Sequence, residues 1–175
     1  MAESYPAFRA GQKVSGELLA STLPRTVRKT ADTPRTSTTA ADDPELTITV
    51  EANAVYQVDG VLWVSATDNG TDINLDWTAP SGSDGSWSGI GMSTSADGVD
   101  QNLATNTGAV RFPLTGITAA RNFGATSAGT ITILINATLI VGSTAGTYAL
   151  SWAANAASGT VTLVTDSFLT LRRIS

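Results

Sequence analysis

The sequence predicts an all-β protein: an eight-stranded antiparallel β-sandwich of jelly-roll type, preceded by an extended N-terminal arm with one short helix. Three observations lead there. Only 14% of the 175 residues are charged, against roughly 25% in an average soluble domain, and the apolar residues are mostly Val, Ile, Leu and Ala among abundant Gly, Ser and Thr. From Leu46 onward the chain breaks into short alternating segments with turn signals between them. A helical pattern occurs once, in "RAGQKVSGELLASTLP", residues 9–24. The expected division is residues 1–45 as anchoring arm and linker, and 46–175 as the sandwich.

The arm opens extended, with Tyr5, Phe8 and Val14 as apolar points and Pro6 fixing a bend. Ser15 can cap a helix, Glu17 suits the positive end of its dipole, and Pro24 stops it. About two turns are too few to be stable alone in water. Val14, Leu18, Leu19 and Leu23 therefore need another surface. "RKTADTPRTSTTAADDPE", residues 28–45, is polar and holds two prolines, which reads as a linker.

The strands follow. "LTITV" (46–50) alternates, and "AVYQVDGVLWVSA" (54–66) places Tyr56, Val58, Leu62 and Val64 on one face. "DNG" (68–70) predicts a hairpin turn, because Asn-Gly accepts positive φ at both central positions. "TDINLDWT" (71–78) puts Ile73, Leu75 and Trp77 inward, with Asp72, Asn74 and Asp76 outward. "SWSGIGM" (86–92) is a strand weakened by glycine, and "AVRFPL" (109–114) is confined to an edge by Pro113. "GTITILINATLIV" (129–141) is long and apolar enough to be central. "TYALSWAAN" (147–155) sets Tyr148, Leu150 and Trp152 on one face, and "SGTVTLV" and "SFLTLRRI" complete the set.

The residue inventory narrows the chemistry. There is no Cys and no His, which excludes disulfides, thiolate and imidazole metal sites, and nucleophile systems that use either residue. Asp72 and Asp76 share a strand face at about 13 Å, too far apart for a glycosidase pair, which needs at most about 9.5 Å. The Asp97–Asp100 loop, "SADGVDQN", departs from EF-hand spacing. Asn69-Gly70-Thr71 and Asn136-Ala137-Thr138 match the short glycosylation triplet. No phosphate-binding loop or dinucleotide fingerprint is present. The expectation is a non-enzymatic protein with no catalytic residues, cofactor or metal.

Interaction features remain. Residues 1–35 hold six basic side chains against three acidic, a net of +3, while residues 36–175 carry a net of −8. A basic segment on an acidic body predicts an arm that docks elsewhere. Its expected anchoring residues are Tyr5, Phe8, Arg9, Lys13, Val14, Leu18, Leu19, Leu23, Arg25, Arg28 and Lys29. The basic residues lack the interleaved aromatics that stack on bases, so no specific nucleic-acid binding is expected. No apolar run reaches the roughly 18 residues of a membrane helix, and no export signal is expected. Trp63 and Val61 fall on the outward face of their strand. Three roles are open to them: burial on both faces within one monomer, a subunit interface, or, for Trp63, a ligand-stacking platform, a role Trp87 can share.

"AGQKVSGELLASTLP", "RKTADT", "VEANAVYQVDG", "STAGTYALSWAAN" and the closing "LRRIS" resemble a family of small proteins encoded by tailed phages and prophages of actinobacteria. The resemblance spans nearly the whole chain and carries no chemistry. It implies a virion structural component with an N-terminal attachment segment and a β-sandwich assembling as a homotrimer. "SDGSWSGIGMSTSADGVDQN" and "ITAARNFGATS" look like the variable part. The expected role is a capsid decoration or head fibre docked to another virion protein through residues 1–35. The alternatives are a tail fibre or minor tail protein that binds host-envelope glycan, or a carbohydrate-binding module.

Overall fold

A computed structural model describes residues 10–16, 19, 23–94, 109–111 and 114–175. Thirteen strands occur among them: β1 (Arg25–Arg28), β2 (Thr33–Arg35), β3 (Ala41–Val50), β4 (Val55–Ala66), β5 (Ile73–Thr78), β6 (Asp84–Met92), β7 (Ala109–Arg111), β8 (Thr115–Gly116), β9 (Arg121–Phe123), β10 (Ile131–Ile140), β11 (Gly146–Ala154), β12 (Val161–Leu163) and β13 (Phe168–Arg173). The protein is all-β, in two antiparallel sheets. The larger runs β1-β13-β4-β10-β6-β7, with β12 joining β4 to β2 and β8 on β6; the smaller runs β3-β11-β5-β9.

Four pairs are nested in sequence: β3 with β11, β4 with β10, β5 with β9, and β6 with β7. The chain from β3 to β11 is thus one long antiparallel hairpin that doubles back between β6 and β7. It is wound so that successive pairs fall in alternate sheets, and β5–β11 and β6–β10 contacts close the winding. This corrects the hairpin expected at Asp68-Asn69-Gly70. β4 and β5 lie in different sheets, and neither Asn69 nor Gly70 takes a positive φ. The Asn69 side chain instead accepts hydrogen bonds from Thr126 and Ser127.

Alternation sets which side chains meet between the sheets. Ile131, Ile133, Ile135, Ala137 and Leu139 of β10 are buried while their alternates are exposed. Tyr56, Val58, Leu62 and Val64 of β4 join them, as do Ile73, Leu75 and Trp77 of β5. An aromatic cluster spans the two sheets: Trp77 stacks on Tyr148 at 4.9 Å, and Trp87 meets Trp77 edge-on at 5.8 Å. Such pairs add about 0.5–1.5 kcal/mol each beyond their buried area. Gly89 and Gly91 of β6 face the same interior. A Cβ on either would lie 2.5 or 2.8 Å from the Phe123 ring. The glycines that weaken this strand in sequence are therefore the space Phe123 fills.

Two further expectations are corrected. The strands number thirteen among the described residues, because β1, β2, β8 and β9 lie in segments with no usable alternation. The arm–body boundary does not fall at residue 45. β1 is ladder-bonded to β13 along its length, β2 pairs with β12, and β3 begins at Ala41. The segment expected to be a linker is body.

Candidate assembly surfaces

The described residues ahead of Arg25 are all exposed. Val14, Leu19 and Leu23 are 57%, 56% and 62% exposed, and Lys13 is exposed as well. Leu19 donates its N–H to the Ser15 carbonyl at 3.0 Å, one turn of helical bonding where the helix was expected. Tyr5, Phe8, Arg9 and Leu18 lie outside the described residues, as does the Asp97–Asp100 loop.

Arg25, Arg28 and Lys29, expected in the arm, bind the body instead. Arg25 donates to the Thr49 carbonyl and pairs with Glu51, and Arg28 pairs with Asp166. Lys29 is fully buried. Its Nζ lies 2.9 and 3.2 Å from the two carboxylate oxygens of the equally buried Asp43, 2.8 Å from Thr33 Oγ1 and 3.3 Å from Glu45 Oε2. All three ammonium protons have acceptors. The local fold explains the fit. Between the pairs Asp42–Ser151 and Thr47–Ala149, four residues of β3 stand opposite one of β11, a bulge that turns Asp43 inward. The N–H groups of Glu45 and Leu46, released from the ladder, donate to Asp43 Oδ1 at 3.1 and 3.2 Å. Trp152 Nε1 lies 3.3 Å from Asp43 Oδ2, and the Arg35 guanidinium covers the Trp152 ring at 4.1 Å. Hydrogen bonds from the Thr30 hydroxyl and N–H hold the Glu45 carboxyl down to about 2.

The outer face of the larger sheet carries an apolar row. Phe168 of β13, Val61 of β4, Leu134 of β10 and Ile90 of β6 stand in register across four strands. Leu134 and Ile90 are 48% and 43% exposed, and Val61 and Phe168 are half-buried. Trp63, also half-buried, lies two residues along β4, opposite Thr132. On the other side Asn136 donates to Asp59 across the strands, so the Asn136 triplet sits on this face with its amide engaged. Val61 and Trp63 thus share the predicted face. Sequence reasoning missed Leu134, Ile90 and Phe168, although the parity of β10 was a usable signal for Leu134.

Other expectations fall away. Trp87 is not a stacking platform: it is fully buried, and its Nε1 donates to the Ala119 carbonyl at 3.0 Å. Asp72 is not on a wet outer face. It is buried, accepts from the Ala125 N–H and the Asn155 side chain, and burial pushes its carboxyl up. Among the described residues no three acidic side chains gather as a metal site, and no helix is long and apolar enough to cross a membrane.

No protein-family model matches the chain, and no curated protein matches it in sequence. A chain in a solved structure of infectious bursal disease virus, Gt strain, aligns at 14% identity over 87% of this chain and 38% of that one, with a TM-score of 0.19. A likeness at that level carries no argument about fold or role.

Proposed function

We propose that the chain is a non-enzymatic bacteriophage virion structural protein. The segment ahead of Arg25 docks it to another virion protein, and its β body projects from the particle as a homotrimeric capsid decoration or head fibre. The nested winding of β3–β7 and β9–β11 is read here as an eight-stranded jelly roll, extended along the β4 edge by β13 and β1.

The observation that carries this reading is the exposure of Val14, Leu19 and Leu23 directly ahead of a strand bonded along its length to the body. Apolar side chains at helical spacing, beside Lys13, suit a groove on an acidic, partly apolar partner. The apolar row through Val61 and Leu134 suits a contact between copies, because its side chains are uncharged and continuous across four strands.

The test replaces Val14, Leu19 and Leu23 together with Ser and measures occupancy on purified particles. The expected result is a loss of at least about tenfold, with an unchanged fold, since about 2–3 kcal/mol of apolar burial per side chain is at stake. Undiminished occupancy contradicts the docking role. A tail fibre or minor tail protein binding host glycan is the second reading, favoured by the partly exposed Trp63 on the outer face of its strand. Glycan binding lost in Trp63→Ala, with label at the tail tip in particle images, would select it.

A further inference from the structure

We propose that Lys29 and Asp43 condense into an intramolecular amide, an isopeptide bond between β1's end and β3, with Glu45 relaying a proton. This bond is independent of the virion reading and follows from the geometry around Asp43.

Both reacting side chains are fully buried, so water does not compete with the amine. Nζ stands 2.9 and 3.2 Å from the two Asp43 oxygens and is hydrogen-bonded to both, so a turn of the carboxyl about its Cβ–Cγ bond is what presents the face of Cγ to the amine. Holding two reactants at this separation replaces an encounter in solution with a local step, the largest entropic help a fold can give. Oδ1 receives the Glu45 and Leu46 N–H groups. Two fixed donors on one carboxyl oxygen form an oxyanion hole for the tetrahedral species that attack at Cγ creates. Oδ2, the oxygen that must depart, has Lys29 Nζ and the Trp152 indole N–H beside it. Glu45 Oε1 is pinned by the Thr30 N–H and hydroxyl, which leaves Oε2, 3.3 Å from Nζ, placed to relay a proton once the nitrogen has added to Cγ.

The step balances as an ammonium plus a carboxylate giving an amide plus water. Nζ passes one proton directly to Oδ2 of Asp43, which neutralises both groups, and the freed lone pair attacks Cγ while negative charge gathers on Oδ1. Glu45 then relays a second proton from the now positively charged nitrogen to Oδ2, the Cγ–Oδ2 bond breaks as Oδ1 re-forms the carbonyl, and water leaves. One hydrogen stays on the amide nitrogen. No oxidant or activating group is needed. The driving force is the removal of two charges from a site where each is costly to desolvate, together with release of the water to solvent.

A bond here ties Lys29, the residue that follows β1, to β3 in the opposite sheet. Tension applied at residues 10–24 would then reach the body through covalent bonds as well as the β1–β13 ladder.

Intact-mass spectrometry of the purified full chain tests the proposal. The wild type is expected one water lighter than its sequence mass, with tandem spectra joining the Lys29 and Asp43 peptides. Lys29→Arg and Asp43→Ala are expected at their own full masses. Glu45→Gln, folded by circular dichroism, is expected to convert at least tenfold more slowly. A wild type that stays at full mass after prolonged incubation in the folded state overturns the proposal. So does a missing water that maps to another residue, such as a succinimide at an Asp-Gly step, or Glu45→Gln converting at the wild-type rate. The wild-type mass alone decides the matter if a variant fails to fold.

Discussion

Residues 10–24 and 25–45 were both expected in the arm and are opposite in structure. Both lie in the basic N-terminal part of the chain and lack strand-like alternation. The described residues of the first are exposed, apolar side chains included. The second is ladder-bonded from Arg25, and it buries a lysine. The difference lies in what each segment finds to pair with. Thr26, Val27 and Arg28 meet the free edge of β13, and Lys29 meets a carboxylate that a bulge has turned inward. Val14, Leu19 and Leu23 keep more than half of their surface exposed. A charge run is thus no guide to where an arm stops; the available partners decide it.

The largest effect that can break this contrast is a pair of truncations. Removing residues 1–35 deletes β1, β2 and Lys29 and leaves Asp43 buried without its cation. A loss of at least about 3–5 kcal/mol is expected, as for breaking a buried ion pair. Removing residues 1–24 should change stability by less than about 0.5 kcal/mol. Urea unfolding of both truncated chains checks this, and equal losses would erase the boundary at Arg25. Asp43→Ala should cost about 3–5 kcal/mol on its own, because Lys29 keeps its charge and loses its main partner. A cost below about 1 kcal/mol would mean the site relaxes by admitting water.

A smaller effect sharpens the contrast on the body's own surface. Leu134→Asp places a charge in the apolar row of the larger sheet. Light scattering should show oligomers dissociating, while monomer stability shifts by no more than about 0.5 kcal/mol, as expected for an exposed site. Unchanged mass in solution would remove this face from the assembly.

The smallest effect is in pH. Thr30 holds the Glu45 carboxyl at about 2, below its ordinary 4.5. A depressed carboxyl stabilises the fold fully above its unfolded value and loses that contribution as pH falls through its folded value. Stability should therefore decline between pH 4.5 and 2, and Glu45→Gln should flatten that decline. An identical acid profile in the variant would mean that Thr30 does not act on Glu45 in solution.

Much of the fold was legible because period-two burial leaves a plain trace. Alternation placed β4, β5 and β10 within a residue or two, and the inward faces of Tyr56, Leu75 and Trp77 follow from it. β1 and β2 were illegible because edge strands bury little. Thr33, Pro34 and Arg35 carry no apolar stripe, and their pairing with β12 is a tertiary event. Asn-Gly misled because the winding moves the chain between sheets after β4, and sheet choice overrides local turn preference. Lys29 misled for a different reason. A lysine beside an arginine reads as a solvated pair, and only the bulge at Asp43, with Pro44 next to it, makes an acid available inside. At the apolar row the reverse held: Val61 and Trp63 could be read from strand parity, whereas the alignment of Phe168 and Ile90 with them needed the register of four strands.

The measurement that bears most directly on the central claim is the particle occupancy of a chain lacking residues 1–24, with its folded body confirmed in the same sample. The expected result, if the exposed apolar segment supplies the attachment as proposed, is a stable β body that no longer loads onto particles. A truncated chain that loads as well as the full one would place the attachment on the body and contradict the account.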